Sequence, residues 1–175
     1  MKRLYFFIVL GLVSLVVETT FLRTFPTWNI RCDLIWLSVL FIGFYHELWE
    51  GLPSVLILGL MTDCIASPFL GLLTADYLCV FFILRLLTAQ IYVEALLSKI
   101  FWVFIMTILG KYIEYLLLHW IDIPISLQPT YVIYIIIQGV WNGLLAVLFF
   151  PFLKRAISRI YKRDYAHSVS SRQYS

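Results

Sequence analysis

Charge is what this sequence has least of. Of 175 residues only 13% are charged, against 62% hydrophobic, and the mean hydropathy is +0.93. A soluble domain carries roughly a quarter charged residues, and so few cannot cover a water-facing sphere of this length. Soluble enzymes, nucleic-acid readers and secreted disulfide scaffolds are therefore excluded, and a multi-pass membrane protein solvated by lipid remains. Cysteine is scarce as well. Cys32, Cys64 and Cys79 show no C-x-x-C spacing, and the last two lie in apolar runs as small hydrophobes, which argues against a disulfide or metal role. Catalytic signatures are missing too: there is no H-E-x-x-H, G-x-S-x-G or Walker loop, and His46, His119 and His167 stand isolated. Asp63 with Asp76 is the sole pair that imitates an aspartyl dyad, and neither lies in a catalytic motif. The chain is read as a non-enzyme with no catalytic residue, no cofactor and no metal site.

The net charge of +3 hides an uneven distribution. Lys154, Arg155, Arg159, Lys162, Arg163 and Arg172 follow Pro151 with only Asp164 against them, whereas the preceding chain holds seven basic and nine acidic residues. Such a tail can touch RNA or anionic lipid. Without aromatic readout motifs it reads as a cytoplasmic topology anchor, and no nucleic-acid partner is expected. The expected organisation is a transmembrane bundle over 1–153 and a basic cytoplasmic tail over 154–175. At the other end, Lys2-Arg3 and the run Leu4 to Val17 imitate a secretory signal, but the run exits through Glu18-Thr19-Thr20-Phe21-Leu22-Arg23 with no small-x-small cleavage site. It is expected to be a retained first span. With no lipidation box and no extended soluble segment, the chain is expected to be almost entirely membrane domain.

A spanning helix needs about 20 mostly apolar residues, and Leu4 to Leu22 supplies them with Glu18 as the one intruder. After a loop from Arg23 to Arg31, Asp33 can N-cap a second apolar run from Leu34 to Tyr45. At about 1.5 Å per residue that run covers only about 18 Å, so it must recruit His46 to Trp49, thin the bilayer, or be buried by its neighbours. Gly51-Leu52-Pro53 predicts a break with proline in the first turn of helix 3, which runs to Ala66. Ser67-Pro68 ends it, and helix 4 is predicted to resume at Phe69 and continue to Leu87 in a hairpin with almost no loop. Helix 5 is predicted over Leu97 to Trp120, followed by a boundary segment, Ile121 to Pro129, containing the breakers Asp122, Pro124 and Pro129. Helix 6 is predicted over Tyr131 to Leu153. The fold class is thus an all-α polytopic membrane bundle of six transmembrane helices, with both termini cytoplasmic by the positive-inside rule. Arg23 and Arg31 balance Lys2 and Arg3, so five spans plus a re-entrant second helix is the alternative.

Ionisable residues inside spans cost about 2.5–3.5 kcal/mol each on insertion scales and call for a partner or a function. Rise along each helix puts Glu18, Asp63, Asp76, Lys111 and Glu114 in the outer half of the bilayer; Arg85 and Lys99 lie near the cytoplasmic interface and can snorkel. Lys111 and Glu114 are three apart and can pair, while Lys111 is the only cation at the depth of Asp63 and Asp76. Asp63, Asp76, Lys111 and Glu114 therefore form either a buried polar network that fixes packing or a proton or cation relay. Gly51, Val55, Gly59, Asp63 and Ser67 share one i,i+4 row of helix 3, and Gly139-x-x-x-Gly143 lies beside Gln138 and Asn142 on helix 6. Both are faces for packing within the chain or for binding a partner.

The stretch Gly51-Leu52-Pro53-Ser54-Val55-Leu56-Ile57-Leu58-Gly59-Leu60-Met61-Thr62-Asp63, with Gly71 eight residues on and then Ala75 and Tyr77, resembles the rod shape-determining MreD family, which carries a similar glycine-rich G-L-x-x-D core. Arg31-Cys32-Asp33-Leu34 is similar to that family's proline-aspartate-leucine entry to helix 2, with Cys32 where proline is frequent. Asp76 and Lys111 match no family motif. The resemblance implies a non-catalytic inner-membrane scaffold of the bacterial cell-elongation machinery, maintaining rod shape and supporting lateral peptidoglycan synthesis. The implied partners are MreC, which is held by its single transmembrane helix, the glycosyltransferase RodA with its penicillin-binding transpeptidase, and MreB at the cytoplasmic face. Such proteins share an architectural likeness with the substrate-binding subunits of energy-coupling-factor transporters. The alternative function is accordingly the membrane subunit of a small-molecule (vitamin) transporter.

Overall fold

The computed structural model describes residues 2–21, 33–66, 69–88, 96–121 and 129–172. Among these residues there is no strand, and six helices follow in order: α1 (Lys2–Phe21), α2 (Leu34–Tyr45), α3 (Leu48–Ala66), α4 (Leu72–Thr88), α5 (Leu96–Trp120) and α6 (Pro129–Arg172). Three of them contain stretches long and apolar enough to cross a bilayer, Leu48–Ile65, Leu97–Trp120 and Tyr131–Ser158, and two shorter apolar stretches are Phe7–Glu18 and Leu34–Tyr45. The chain is an all-α, polytopic membrane bundle.

The short helix α2 is the centre of the bundle. Every residue from Ile35 to Phe44 is buried, and α2 touches each of the other five helices. A helix apolar on all sides has no preferred outer face and is stable where neighbours surround it. Burial by neighbours, one of the three ways a short apolar run can be accommodated, is observed. Its lower end is held by rings: Phe41 lies 5.6 Å from Phe150 and 4.9 Å from Tyr45, and Phe7 meets His46 edge-on at 5.2 Å. Around this axis α3 packs on α4, α1 on α3, α4 on α5 and α5 on α6.

Three helix limits differ from those read in the sequence. Helix α3 begins before Gly51 because Glu47 already accepts from the Glu50 and Gly51 amides, at 3.2 and 2.8 Å. Pro53 therefore lies in the second turn, where it forgoes one main-chain bond. Helix α4 does not resume at Phe69. Gly71 takes a left-handed φ of +96°, turning the chain, and the helix starts at Leu72. Helix α6 does not stop at Leu153 but passes Pro151 and continues to Arg172. Across that limit Lys154 Nζ sits 4.0 Å over the Tyr45 ring and Ile157 packs on the core. The expected loop Arg23 to Arg31, the Ser67-Pro68 break and the breakers Asp122 and Pro124 lie outside the described residues.

Candidate functional site

The first amides of a helix have no partner within it, and one left unsatisfied away from water is costly. In this bundle carboxylates supply the missing acceptors at two helix starts. At α2, the Leu34 and Ile35 amides donate to Glu18 Oε1 of α1 at 2.5 and 3.3 Å. The Trp36 amide donates to Asp33 Oδ1 at 2.9 Å, and the Leu37 amide to the Asp33 carbonyl at 3.0 Å. At α4, Asp63 of α3 takes the same part. Its Oδ2 accepts from the Gly71 amide at 2.9 Å, the Thr74 amide at 3.0 Å and the Thr74 hydroxyl at 2.5 Å, and its Oδ1 accepts from the Leu73 amide at 2.8 Å. The preceding helix thus caps the following one twice, α1 for α2 and α3 for α4. A negative charge at a helix N terminus is also favoured by the aligned peptide dipoles.

This geometry separates the acids that sequence depth groups together. Asp63 is buried and committed to main-chain donors of α4. Lys111 meets Glu114 at 2.6 Å, within one turn of α5. Asp76 is buried farther along α4, facing α5 and α6.

The glycines mark close approaches between the chain's own helices. A Cβ on Gly59 would stand 2.7 Å from Thr74 Cα, and one on Gly51 2.8 Å from the Phe81 ring and 2.9 Å from Ile42. A Cβ on Gly139 would meet Phe104 at 2.8 Å, and on Gly143 would meet Ile100 at 3.1 Å. These four positions are filled by α2, α4 and α5, whereas a Cβ on Gly71 would meet nothing within 4 Å. Three further close approaches, Gly110 against the Trp36 indole, Gly11 against Leu58 and Gly43 against Leu84, carry no small-x-x-x-small signature and were not legible in the sequence.

Between α2, α4, α5 and α6 lies a cavity with about 280 Å³ of empty space including its mouth. Asp33, Asp76, Lys111, Gln138 and Asn142 line it, with Trp36 at the wall. The Trp36 indole donates to the Thr107 hydroxyl at 3.2 Å, and that hydroxyl donates to the Val103 carbonyl at 2.8 Å, so this part of the lining is satisfied. The opposite part is not. Asp76 Oδ1, Gln138 Oε1 and both polar atoms of the Asn142 amide are buried without a hydrogen-bond partner. Gln138 and Asn142 lie one turn apart on an otherwise apolar helix, a pairing visible in the sequence only as neighbours of the Gly139 and Gly143 face. Among the described residues no group of His, Cys, Asp and Glu is placed to hold a metal ion.

A helical bundle with stretches long and apolar enough to cross a bilayer, whose acids close its own helix ends, defines a class: a multi-pass membrane protein. Residues 1–156 match the family described as rod shape-determining protein MreD, and the chain belongs to that family. Membership makes it a non-enzymatic membrane protein. No curated protein and no solved structure matches the chain.

Proposed function

We propose that this chain is a scaffold of the bacterial cell-elongation machinery in the inner membrane. It binds an MreC-like single-span protein and works beside a RodA-type glycosyltransferase, its penicillin-binding transpeptidase and, at the cytoplasmic face, MreB. The observation that carries this reading is the family match across residues 1–156. The geometry supports it: two of the bundle's acids, the half-buried Glu18 and the buried Asp63, close helix ends. In this reading all six helices cross the bilayer and the basic end of α6 keeps both termini cytoplasmic, with the bundle over 1–153 and the tail over 154–175.

Gly51, Gly59, Asp63, Gly71, Gly139 and Gly143 then serve packing and turning within the chain. The partner's helix meets the bundle elsewhere, because the close-packed glycine positions already carry α2, α4 and α5. The transporter alternative needs a pocket for a vitamin. Pockets for ligands of that size measure about 300–1,000 Å³, whereas the central cavity has only about 20 Å³ of space for water-sized molecules, close to what a single water needs. The likeness to energy-coupling-factor subunits is then one of architecture.

Purification from native membranes tests the proposal. Recovery of a stoichiometric single-span partner is expected. A stoichiometric vitamin-like molecule with no such partner would replace the scaffold by the transporter subunit.

A further inference from the structure

We propose that the cavity between α2, α4, α5 and α6 is a binding site for one small monovalent cation, held by the side-chain oxygens of Asp76, Gln138 and Asn142. The inference stands on the unfilled chemistry of the lining. Asp76 and Gln138 are each 3% exposed and Asn142 is fully buried, yet Asp76 Oδ1, Gln138 Oε1 and Asn142 Oδ1 have no donor. Buried polar atoms left without partners cost about 1–3 kcal/mol each, and nearly all such atoms in folded proteins are satisfied. Three unfilled acceptors, one of them a carboxylate, outnumber the one unfilled donor, Asn142 Nδ2. The missing group is therefore a donor or a cation.

Charge narrows the choice further. Beside the Asp76 carboxylate the lining carries one ammonium, Lys111, which Glu114 engages at 2.6 Å, so that it offsets the Asp76 charge only in part. A water molecule can satisfy the two amides and donate to Asp76 Oδ1, but it brings no charge to complete that offset. A cation with oxygen ligands satisfies both, as hard cations do in carboxylate and carbonyl sites. Two sources share this chemistry: an inorganic ion such as sodium, and the primary ammonium of a small amine. The Trp36–Thr107 wall, already satisfied, takes no part.

The test uses the purified full chain in detergent. Its thermal midpoint is followed against sodium, potassium or methylammonium chloride, each replaced by N-methylglucamine chloride at constant ionic strength. In parallel, radiolabelled sodium and methylammonium are equilibrated with the wild-type protein. A saturable rise in the midpoint with one of the small cations is expected, together with near-stoichiometric binding of the same label, and the responding cation identifies the source. Losing one hydrogen bond or ligand contact to a charged group, about 1.5–3 kcal/mol, should weaken that binding about tenfold or more in Asn142→Leu. Gln138→Glu, which adds a carboxylate, should tighten it and serves as the deciding variant if Asn142→Leu does not fold. No saturable response in the wild type would overturn the proposal, as would binding that neither folded variant alters. Neither readout depends on a protein partner, so the result stands apart from the scaffold reading.

Discussion

The Asp63 carboxylate and the Thr74 hydroxyl lie 2.5 Å apart, and that contact joins the end of α3 to the first turn of α4. The same carboxylate receives the Gly71, Leu73 and Thr74 amides. In water an N-cap residue contributes about 0.5–2 kcal/mol. Here the donors are shielded from water, so stranding them costs about 1–3 kcal/mol apiece before relaxation. Asp63→Ala is expected to destabilise the detergent-solubilised protein by about 3 kcal/mol, and Asp63→Asn by less, since the amide oxygen keeps part of the acceptor capacity. Denaturation by a graded detergent titration measures both. Equal stability of wild type and Asp63→Ala would show that the α4 amides find other acceptors.

Gly59 is one turn before Asp63 and touches the same residue, Thr74, from below. A methyl group at Gly59 would stand 2.7 Å from Thr74 Cα, a main-chain atom that cannot rotate away. Gly59→Ala should therefore push α4 off α3 at a cost of about 1–3 kcal/mol, the usual range for overpacking. Because the displaced residue is also the one Asp63 caps, Gly59→Ala and Asp63→Ala should cost less together than the sum of their separate effects. Strict additivity in a double-mutant cycle would mean that the two contacts act independently.

The α1 carboxylate predicts a parallel result at α2. Glu18→Gln retains an acceptor for the Leu34 and Ile35 amides, whereas Glu18→Leu retains none. The leucine variant should lose about 2 kcal/mol more than the glutamine variant in the same titration. Indistinguishable variants would place the stabilising work on Asp33 alone.

How much of this was legible in the sequence depended on whether the physical cause was local. The limits of α2 followed from Asp33 and an unbroken apolar run, both local signals, and the observed helix is Leu34–Tyr45. The start of α4 was misjudged because apolar character resumes at Phe69, while the chain direction is set by the left-handed backbone at Gly71. Pro53 is expected in the first turn of α3 but lies in its second, inside a helix that absorbs one lost main-chain bond, as α6 does at Pro151. The Glu18 and Asp63 partners are main-chain amides on another helix. Such partners have no residue signature, so depth alone grouped Asp63 with Lys111. The Gln138 and Asn142 pair stood in plain view, but its significance needs the cavity that only four assembled helices create.

Topology gives a prediction independent of packing. If all six helices span and the termini are cytoplasmic, reporter fusions after Leu22 and after Ile121 both lie outside. Periplasmic-type reporters should be active at both sites, and cytoplasmic-type reporters at a fusion within the tail. A cytoplasmic signal after Leu22 would favour five spans with a re-entrant α2.

The last prediction concerns which acid Lys111 serves. Depth along the helices allowed Asp63, Asp76 or Glu114, and the geometry ranks them. Glu114 is in contact at 2.6 Å on the same helix, Asp76 shares the cavity lining, and Asp63 is occupied by four donors at the α4 N terminus. Three cycles, pairing Lys111→Met with Glu114→Leu, Asp76→Leu or Asp63→Leu, separate them by unfolding free energy. Polar contacts between membrane helices couple by about 0.6 kcal/mol on average and at most about 1.7 kcal/mol. The Glu114 cycle should reach about 1 kcal/mol, because removing either partner leaves the other a charge with less compensation. The Asp63 cycle should lie near zero, since its partners are amides that Lys111→Met does not move. The Asp76 cycle is the informative one. A cation in the cavity would compensate Asp76 without Lys111, so this coupling should be small at saturating cation and larger when N-methylglucamine replaces it. A strong Asp63 coupling would contradict the separation of the cap from the cavity and restore a single network across α3, α4 and α5.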